Sequence, residues 1–541
     1  MAAAAGHDVR GRALAARAAR RGARARARRG RRRRGRLAGP APARHRRAHG
    51  ARARRGARGR RARRRAGAVP RPLHRPPGVT DAGGRRAAPG LVVPTRASSA
   101  VVGVLTDLGL RPLVVGGTVR DALLAERRGL PPEPPRDLDL EAHGDVSTEV
   151  LGAALAPLGP VAVRGAAFLV VSVVVDGEEV EVSVEPLVAG RSVAEADRAA
   201  AARRDLTVGA IAWDPVSHEL VDPHGGEADL ARGVLRHVSE HFGDDPLRGL
   251  RVVQLAGRLG FAVAAETAAL CRELLPAAAD LPVERIWAEW RKLARRAVHW
   301  PEALVALEQT GWLARWPDLA AVRDVPQDPA WHPEGDVWTH LGLAARAAAT
   351  AAEEEGTAPA DREVAVLGAL LHDLGKATHT QLGDDGRVRS LGHAEAGVDP
   401  ARRTLAAMGA PRAVVERVLP VVREHMTHVS VPGRPSGPAV RRLRRRLAPA
   451  GLDDWARVVD ADAGGRAGAS RRGAADAWRE VSAATPPTPG RGLLTGRHLI
   501  DAGLTPGPAF RETLRAAAAA EDDEAYVDEA GAVRWLAARL G

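Results

Sequence analysis

The stretch from Leu113 to Glu141, LVVGGTVRDALLAERRGLPPEPPRDLDLE, constrains this chain more than any other. An apolar run, Leu113-Val114-Val115, predicts a short buried strand, which turns at Gly116-Gly117 and enters a helix-like segment, Thr118 to Arg128. A glycine pair there lets the backbone approach a ligand closely and leaves free N–H groups at a helix start, which suits a phosphate. After a proline-rich loop comes Asp137-Leu138-Asp139, flanked by apolar residues. In a strand the two carboxylates share a face, because side chains alternate with a period of two. Side by side they repel unless a cation lies between them, so the pair points to a divalent metal. A Gly-Gly turn alone is commonplace and a lone Asp-x-Asp is usually solvated surface; in the order strand, turn, helix, loop, strand the combination is far more specific.

Charge says where nucleic acid would be held. The chain carries 81 basic and 65 acidic side chains, a formal net charge of +16. Residues 1–90 hold 30 Arg and 2 Asp, so the other 451 residues carry 51 basic against 63 acidic groups, a net charge of −12. Any basic surface is therefore a local patch or the N-terminal extension itself. That extension, assigned to residues 1–94, is mostly Arg, Ala, Gly and Pro and is expected to be disordered, with hardly any large apolar side chain to build a core. It reads either as an RNA-binding arm that neutralises phosphates without sequence choice, or as a dispensable extension, including translation from too early a start codon in a GC-rich gene. The one cysteine, Cys271, excludes an intramolecular disulfide and a cysteine zinc cluster, which fits a reducing cytoplasm. No apolar run nears the roughly 20 residues that span a bilayer and no secretory leader is visible, so a soluble protein with no membrane partner is expected.

From about Ala97 the composition becomes globular. Ala100 to Leu110 and Thr148 to Leu158 read as helices, and Val161–Val163, Phe168–Val175 and Val180–Val184 as strands, with a turn at Asp176-Gly177. The result is a head with a small, mixed, antiparallel-rich sheet. Glu179, Glu181 and Glu185 fall on alternate positions; one of them completes the metal site, or they form the solvated face of an edge strand. In Arg203-Arg204-Asp205, two guanidiniums can fork onto phosphate and the carboxylate can accept from a ribose hydroxyl; the alternative is a salt-bridged helix start. At Asp244-Asp245-Pro246-Leu247-Arg248-Gly249-Leu250-Arg251, acids before a first-turn proline and two arginines one turn apart describe a capped helix with an Asp/Arg edge. Phe261 to Trp316 reads as amphipathic helices whose Arg285, Arg291, Lys292, Arg295 and Arg296 either touch phosphates or make an outer charged face.

A second chemistry begins at Trp331-His332-Pro333. His340 sits in a helix-like segment, and His372-Asp373 close the apolar run Val364 to Leu371, with Gly375-Lys376 just after. His393 precedes Ala394-Glu395-Ala396-Gly397, His425 ends another helix, and Asp460 and Asp462 follow Trp455. One histidine would be ordinary, but imidazoles and carboxylates spread over successive helices are the ligand set of a hydrolytic divalent metal. The run RRLRRRL between Pro432 and Pro449 either binds RNA backbone or is a solvated helix.

In this order the motifs resemble a known family. GGTVRD followed by DLD is similar to the head of the nucleotidyltransferases that include tRNA CCA-adding enzymes and bacterial poly(A) polymerases. Arg203 to Ala212 resembles that family's RRDxTxNA motif, with Gly209 where the family has Asn, so this position offers a ribose no side chain. Asp222 to Gly226, Asp229-Leu230 and Leu235-Arg236 resemble DPxxGxxDLxxxxLR. The next helix resembles the protein template in which an Asp and an Arg hydrogen-bond the incoming C or A, which implies Asp245 and Arg248, with Asp244 at the usual Glu and Gln254 at a common Arg. The His/Asp run resembles an HD-type metal-dependent phosphohydrolase domain, its H…HD…D falling on His340, His372, Asp373 and Asp462. His393 and His425 are then candidates for a second metal or the substrate phosphate, and the Asp-Ala-Gly-Gly-Arg pattern favours Asp462 over Asp460. A subset of bacterial CCA-adding enzymes carries such a domain, associated with phosphatase and cyclic phosphodiesterase activities. Leu494 to Pro508 resembles TGxDLxxxGxxPGP, with His498 at the usual Asp.

The resemblance runs from about Ala97 to the C-terminus and implies an α+β fold: a nucleotidyltransferase head over 95–236, a helical neck and body over 237–325, an HD domain over 326–475 and a helical tail over 476–541. It implies that Asp137 and Asp139 hold Mg²⁺, that Gly116, Gly117 and Arg120 hold the triphosphate, and that Arg203, Arg204, Asp205 and Arg251 complete the nucleotide site. Asp245 and Arg248 would choose the base as C and A pass from CTP and ATP to the 3′ end of tRNA. The HD domain would hold Mn²⁺, Ni²⁺, Mg²⁺ or Fe²⁺, a choice the sequence leaves open along with the oligomeric state. Glu185 to Ala202 lacks the family's Arg- and Tyr-bearing loop, which leaves C-only or A-only addition, or poly(A) synthesis, as alternatives. Two other readings stay open: a phosphohydrolase whose head binds RNA or nucleotide without transferring anything, and a non-enzymatic RNA-binding protein, against which the intact DxD and HD sets argue.

Overall fold

The computed structural model describes residue 81 and residues 83–135, 138–164, 170–186, 190–431, 433–466, 473–486 and 492–541. Asp137 and residues 1–80 lie outside the described residues. Within them, alternation of apolar and polar side chains builds the head. Its strands are β1 (Arg85–Ala87), β2 (Arg111–Val115), β3 (Leu138–His143), β4 (Val161–Arg164), β5 (Val170–Val175), β6 (Glu178–Glu185), β7 (Ala212–Trp213) and β8 (Glu219–Val221). They form one sheet in the order β1-β8-β7-β2-β3-β6-β5-β4, antiparallel at every pairing except β3 with β6.

One face of this sheet is core. Leu138, Leu140 and Ala142 of β3 join Val114, Val180 and Val182, and helices Arg96–Asp107 and Gly117–Arg127 cover them through Val101, Leu105, Val119 and Leu123. Each Leu or Val among them contributes roughly 1.5–3 kcal/mol by leaving water. A one-residue slip of β3 would carry all three of its apolar residues to the wrong face, so burial fixes the register. The other face receives Asp139, Glu141 and His143, opposite Val115, Leu113 and Arg111 of β2. The β5–β6 hairpin turns on Asp176 and Gly177, at φ of 52° and 85°, the pair of left-handed conformations that suits a two-residue turn between twisted strands.

Three expectations are corrected. The sheet is not small: eight short strands pair because β1, β7 and β8, too brief to read in sequence, extend it past β2. β1 falls inside the stretch assigned to the disordered extension; Arg85–Ala87 pairs with β8, and Leu91 and Val92 are buried, so the ordered head begins before residue 95. The glutamate-bearing strand β6 is interior, not an edge, since β3 and β5 flank it.

Helices follow the head. The predicted capped helix begins later than its proline suggested, as Arg248–Leu259; Pro246 precedes it, and the Asp245 side chain accepts a hydrogen bond from the Leu247 N–H at 3.1 Å. Trp290, Trp300, Trp312 and Trp316 are fully buried in the neck, with Trp290 edge-on to Trp316 at 5.0 Å. Beyond it, helices Val337–Glu354, Pro359–Leu371, Arg412–Glu424 and Leu452–Gly465 pack together, and the C-terminal helices Pro508–Asp522 and Glu529–Leu540 share a small core of Leu499, Ala517, Tyr526 and Leu536. No helix among the described residues is long and apolar enough to cross a membrane.

The basic run is neither a solvated helix nor a free cationic stripe. Arg441 donates twice to the Asp522 carbonyl, at 2.9 and 2.6 Å, Arg445 pairs with Asp522 at 2.9 Å and Arg442 pairs with Asp523. Arg444 donates to the Ser482 carbonyl at 2.7 Å and Arg446 pairs with Glu424 at 3.0 Å. Arg441, Arg442 and Arg445 thus clamp the end of helix Pro508–Asp522 onto helix Gly437–Leu447. Hydrogen bonds to a charged donor contribute about 1.5–3 kcal/mol each, so replacing Arg441 and Arg445 together by Ala should loosen the C-terminal helices and accelerate their limited proteolysis severalfold. An unchanged cleavage rate would show that the apolar contacts alone hold them.

Candidate active sites

Three segments distant in sequence meet in the head. Gly116, at φ +76°, caps the 11-residue helix Gly117–Arg127. A Cβ at Gly116 would lie 3.4 Å from Asp139 Oδ2 and 3.9 Å from Arg204 Nη1, so the left-handed turn, the strand carboxylate and the double-arginine segment share one point. Parallel pairing sets Glu181 of β6 abreast of Asp139, which places two carboxylate-bearing positions side by side. Arg120 is buried just below, donating to Asp121 at 2.9 Å, and Asp121 also receives Arg258 at 2.6 Å.

Sequence reasoning missed the group that holds this point together. Glu141, two residues beyond Asp139, is buried, receives Arg204 at 2.5 Å and lies 2.7 Å from His143 Nε2. The signal was there: Asp137, Asp139, Glu141 and His143 continue the same period of two. Asp197, buried in helix Val193–Ala202, approaches His143 at 3.7 Å and pairs with Arg111 at 2.7 Å and Arg85 at 2.5 Å, so the network reaches β1.

The remaining predicted nucleotide residues form an adjoining cluster. Arg203 pairs with Glu185. Burial works against charge on Asp205, but Arg251 at 2.7 Å and the Leu206 N–H outweigh it and hold the carboxyl below its usual range. Arg248 donates to the carbonyls of Arg203 at 2.8 Å and His241 at 2.5 Å, which ties the start of its helix to the double-arginine segment. Asp245 faces Arg285 at 2.6 Å. A Cβ at Gly209 would lie 3.5 Å from Asp205 Oδ1, so the residue missing there would have stood against this carboxylate. Of the neck's basic residues, Arg285, Lys292 and Arg295 are engaged by Asp245, Glu289 and Glu363.

The second centre lies where helix ends converge. His340 comes from helix Val337–Glu354, His372 and Asp373 close Pro359–Leu371, His393 opens the short helix His393–Ala396, His425 follows Arg412–Glu424, and Asp462 lies in Leu452–Gly465. His340 Nε2 is 3.1 Å from Asp462 Oδ1, His372 Nε2 is 3.1 Å from Asp373 Oδ2, and His393 Nε2 is 3.1 Å from Asp373 Oδ1 and 3.2 Å from His425 Nε2. Asp373 is common to two groups able to hold an ion, one with His340 and His372, the other with His393 and His425. Asp460 is elsewhere, paired with Arg479 at 2.6 Å.

These residues fit a metal. The Nδ1 atoms of His372, His393 and His425 lie 2.8, 2.6 and 2.7 Å from the carbonyls of Ala369, Ser390 and Val422, and that of His340 lies 2.8 Å from Glu334. Each acceptor requires a proton on Nδ1 when the ring is neutral, which turns the Nε2 lone pairs toward the two aspartates, as metal-ligating histidines require. His340 Nε2, His372 Nε2 and Asp373 Oδ1 are buried without a hydrogen-bond partner. Burial opposes charge on His340, yet the nearness of the Asp462 carboxylate, the bond to Glu334 and the attraction of Asp373 push it up to about 9. Burial beside His372 pushes His425 down to about 3. Burial would also raise Asp373, but His372 and Lys376, whose Nζ is 2.6 Å away, hold it well below the usual carboxylate range. The pocket thus calls for positive charge. Gly375 permits the convergence, because a Cβ there would lie 2.0 Å from the His393 carbonyl oxygen.

Comparison with known proteins agrees with this division. The poly A polymerase head domain matches residues 113–236, and the HD domain matches residues 337–461. The multifunctional CCA protein of Halorhodospira halophila is 39% identical over 349 residues, 62% of this chain and 78% of its own length. That of Xanthomonas campestris pv. campestris is 34% identical over 332 residues, 58% of this chain and 74% of its own. In fold, the chain resembles the Bacillus stearothermophilus CCA-adding enzyme in complex with CTP, with a TM-score of 0.54 and 24% identity over 82% of this chain and 98% of that one. It also resembles the Thermotoga maritima CCA-adding enzyme complexed with tRNA, with a TM-score of 0.50 and 17% identity over 84% and 99%.

Burial would raise the Glu141 carboxyl, but the bond to His143 and the pull of Arg204 outweigh it and hold it down to about 2, against an ordinary 4.5. Its stabilisation is therefore complete above pH 4.5 and is lost as the pH falls through 2; at neutral pH it is worth about 3 kcal/mol. Glu141→Gln should lower the head's calorimetric transition at pH 7, and its difference from wild type should shrink as the pH approaches 2. A difference independent of pH would mean that packing, not charge, was lost.

Proposed function

Because the chain belongs to the family of multifunctional CCA proteins, we propose that its head adds C and A from CTP and ATP to the 3′ end of tRNA and that its HD domain hydrolyses phosphate esters. The observation that carries the transferase reading is the meeting of the Gly116 turn, Asp139 and Arg204 at one point. Relatives named with CTP, ATP and tRNA support the same partners here.

In this reading Asp139, with Asp137 beside it in sequence and Glu181 abreast on β6, would hold Mg²⁺. Bound there, the ion neutralises triphosphate charge and lowers the pKa of the RNA 3′-hydroxyl. The chain's own groups do the positioning. Backbone N–H groups of the Gly116-Gly117 turn, at the start of an 11-residue helix, and the Arg204 guanidinium receive the triphosphate. Arg120 and Arg203 add positive charge around them. Asp205, braced by Arg251, accepts from the ribose hydroxyl without help from residue 209. Arg248 and Asp245 present the edge that the incoming base reads, Asp245 exchanging Arg285 for the base. In-line attack by the 3′-hydroxyl on the α-phosphorus then expels pyrophosphate.

In the HD domain, His340, His372, Asp373 and Asp462 would hold one divalent ion, and His393 and His425, through Asp373, a second. An ion there supplies a nucleophilic water at neutral pH. Lys376, beside Asp373, offers positive charge to the ester phosphate. We assign the head to residues 85–236, the neck and body to 237–325, the HD domain to 326–475 and the tail to 476–541. The single thiol of Cys271, pushed up to about 12 by burial, supports a cytoplasmic protein without redox chemistry.

Incorporation of labelled CTP and ATP into a tRNA transcript lacking its 3′ CCA tests both halves. Asp139→Asn should lower incorporation about a thousandfold, corresponding to the several kcal/mol a bound ion supplies. Asp373→Asn should abolish phosphate-ester hydrolysis and leave incorporation intact. A wild-type protein that hydrolyses esters but incorporates nothing would sink the transferase reading.

A further inference from the structure

One buried carboxylate near the HD centre meets two imidazoles at once. Glu334, with its side chain 1% exposed, sits in the loop before helix Val337–Glu354. Its Oε1 lies 2.8 Å from Nδ1 of His340 and 2.8 Å from Nδ1 of His332. The two rings meet edge to face, 4.8 Å between centroids, and His332 reaches the surface, 12% exposed. An ionised carboxylate only accepts, so each ring it meets must carry a proton on Nδ1. One oxygen therefore dictates the tautomer of two imidazoles, and in the neutral rings both Nε2 atoms become lone-pair donors.

We propose that Glu334 is a positioning residue of the HD metal centre: it locks His340 in the metal-binding tautomer and holds His332 beside it in the same tautomer, as a fifth imidazole presenting an Nε2 acceptor at the rim. The inference rests on the metal reading of that centre. His372, His393 and His425 fix their tautomers on backbone carbonyls three residues upstream, so those are set by local folding alone. His340 lies inside its helix, where the backbone carbonyls are already occupied, and needs an acceptor from elsewhere. Glu334 supplies it from six residues upstream, with a full negative charge that makes the imidazole a stronger ligand.

The test uses the full chain and one metal, Mn²⁺, titrated calorimetrically into wild type, Glu334→Gln and Glu334→Asp. Glu334→Gln should weaken Mn²⁺ binding about ten- to a hundredfold. Glu334→Asp, which keeps the charge, should recover part of the loss, and nucleotide incorporation should be unchanged in both. Independently of the Glu334 variants, ¹⁵N shifts of the metal-free wild type should report a proton on Nδ1 of both His332 and His340 at any pH that leaves Glu334 ionised, with assignment by His332→Gln and His340→Gln. Unchanged Mn²⁺ affinity in Glu334→Gln, or an unprotonated Nδ1 in either ring, would overturn the inference. If wild type takes up no Mn²⁺, the metal reading fails, and the tautomer signals still decide whether Glu334 sets the two rings.

Discussion

A carboxylate taken out of water must be met by positive charge, and both centres are arranged around that requirement. An unpaired buried ion costs several kcal/mol, and removing one partner of a buried pair typically costs about 3–5 kcal/mol. The head satisfies the requirement with fixed side chains. Glu141 is enclosed by Arg204 and His143, and Asp197 by Arg111 and Arg85, so these charges are neutralised before any ligand arrives. The HD centre satisfies it only in part. Its two aspartates face imidazole Nε2 atoms that carry lone pairs when the rings are neutral, and Asp373 Oδ1 has no hydrogen-bond donor. The same rule thus produces a preorganised cradle in one place and a demand for cations in the other.

The difference follows from the elements that carry the charges. In the head a strand with a period of two delivers Asp139, Glu141 and His143 to one face while Leu138, Leu140 and Ala142 anchor the other. Burial of the apolar set fixes where the polar set stands to within one residue. The parallel neighbour then sets Glu181 abreast of Asp139 rather than a residue away. In the HD domain most of the clustered side chains come from helix ends, where carbonyls without intrahelical donors are available. Those carbonyls capture the Nδ1 atoms of His372 and His425 and leave the opposite nitrogens to converge.

Much of this was legible in sequence because it is local. The Gly116 turn, the face shared by alternate residues of β3, and the His-Asp pair closing an apolar helix all follow from periodicity and turn chemistry. What was hidden depends on partners distant in the chain. The position of β6 inside the sheet depends on parallel pairing with β3 across 34 intervening residues, which no local pattern encodes. The strand Arg85–Ala87 has two arginines and one alanine, and it is a strand only because β8 offers a free edge and Asp197 and Glu227 take its charges. RRLRRRL looked like a surface for phosphates; its partners, Asp522 and Asp523, lie some 80 residues away. Glu141 and Glu334 went unassigned for a related reason: a carboxylate that braces another side chain carries no motif of its own.

The helix Val283–Arg296 sets the relation between the two chemistries. Its Arg285 faces Asp245, just before helix Arg248–Leu259, and its Arg295, ten residues on, pairs with Glu363 in the helix that leads to His372-Asp373. Ten residues of α-helix span about 15 Å, and Trp287, Trp290 and Leu293 bury the intervening face. A rod anchored that way holds the Asp245 segment and the HD helix at a fixed spacing, through ion pairs that belong to one end or the other. The head's buried carboxylates are met by Arg204, Arg111 and Arg85, and those of the HD centre by its own imidazoles and Lys376, so no charged partner is common to the two. Two reactions on phosphate can then occupy one chain, each with its own ions and its own protonation states.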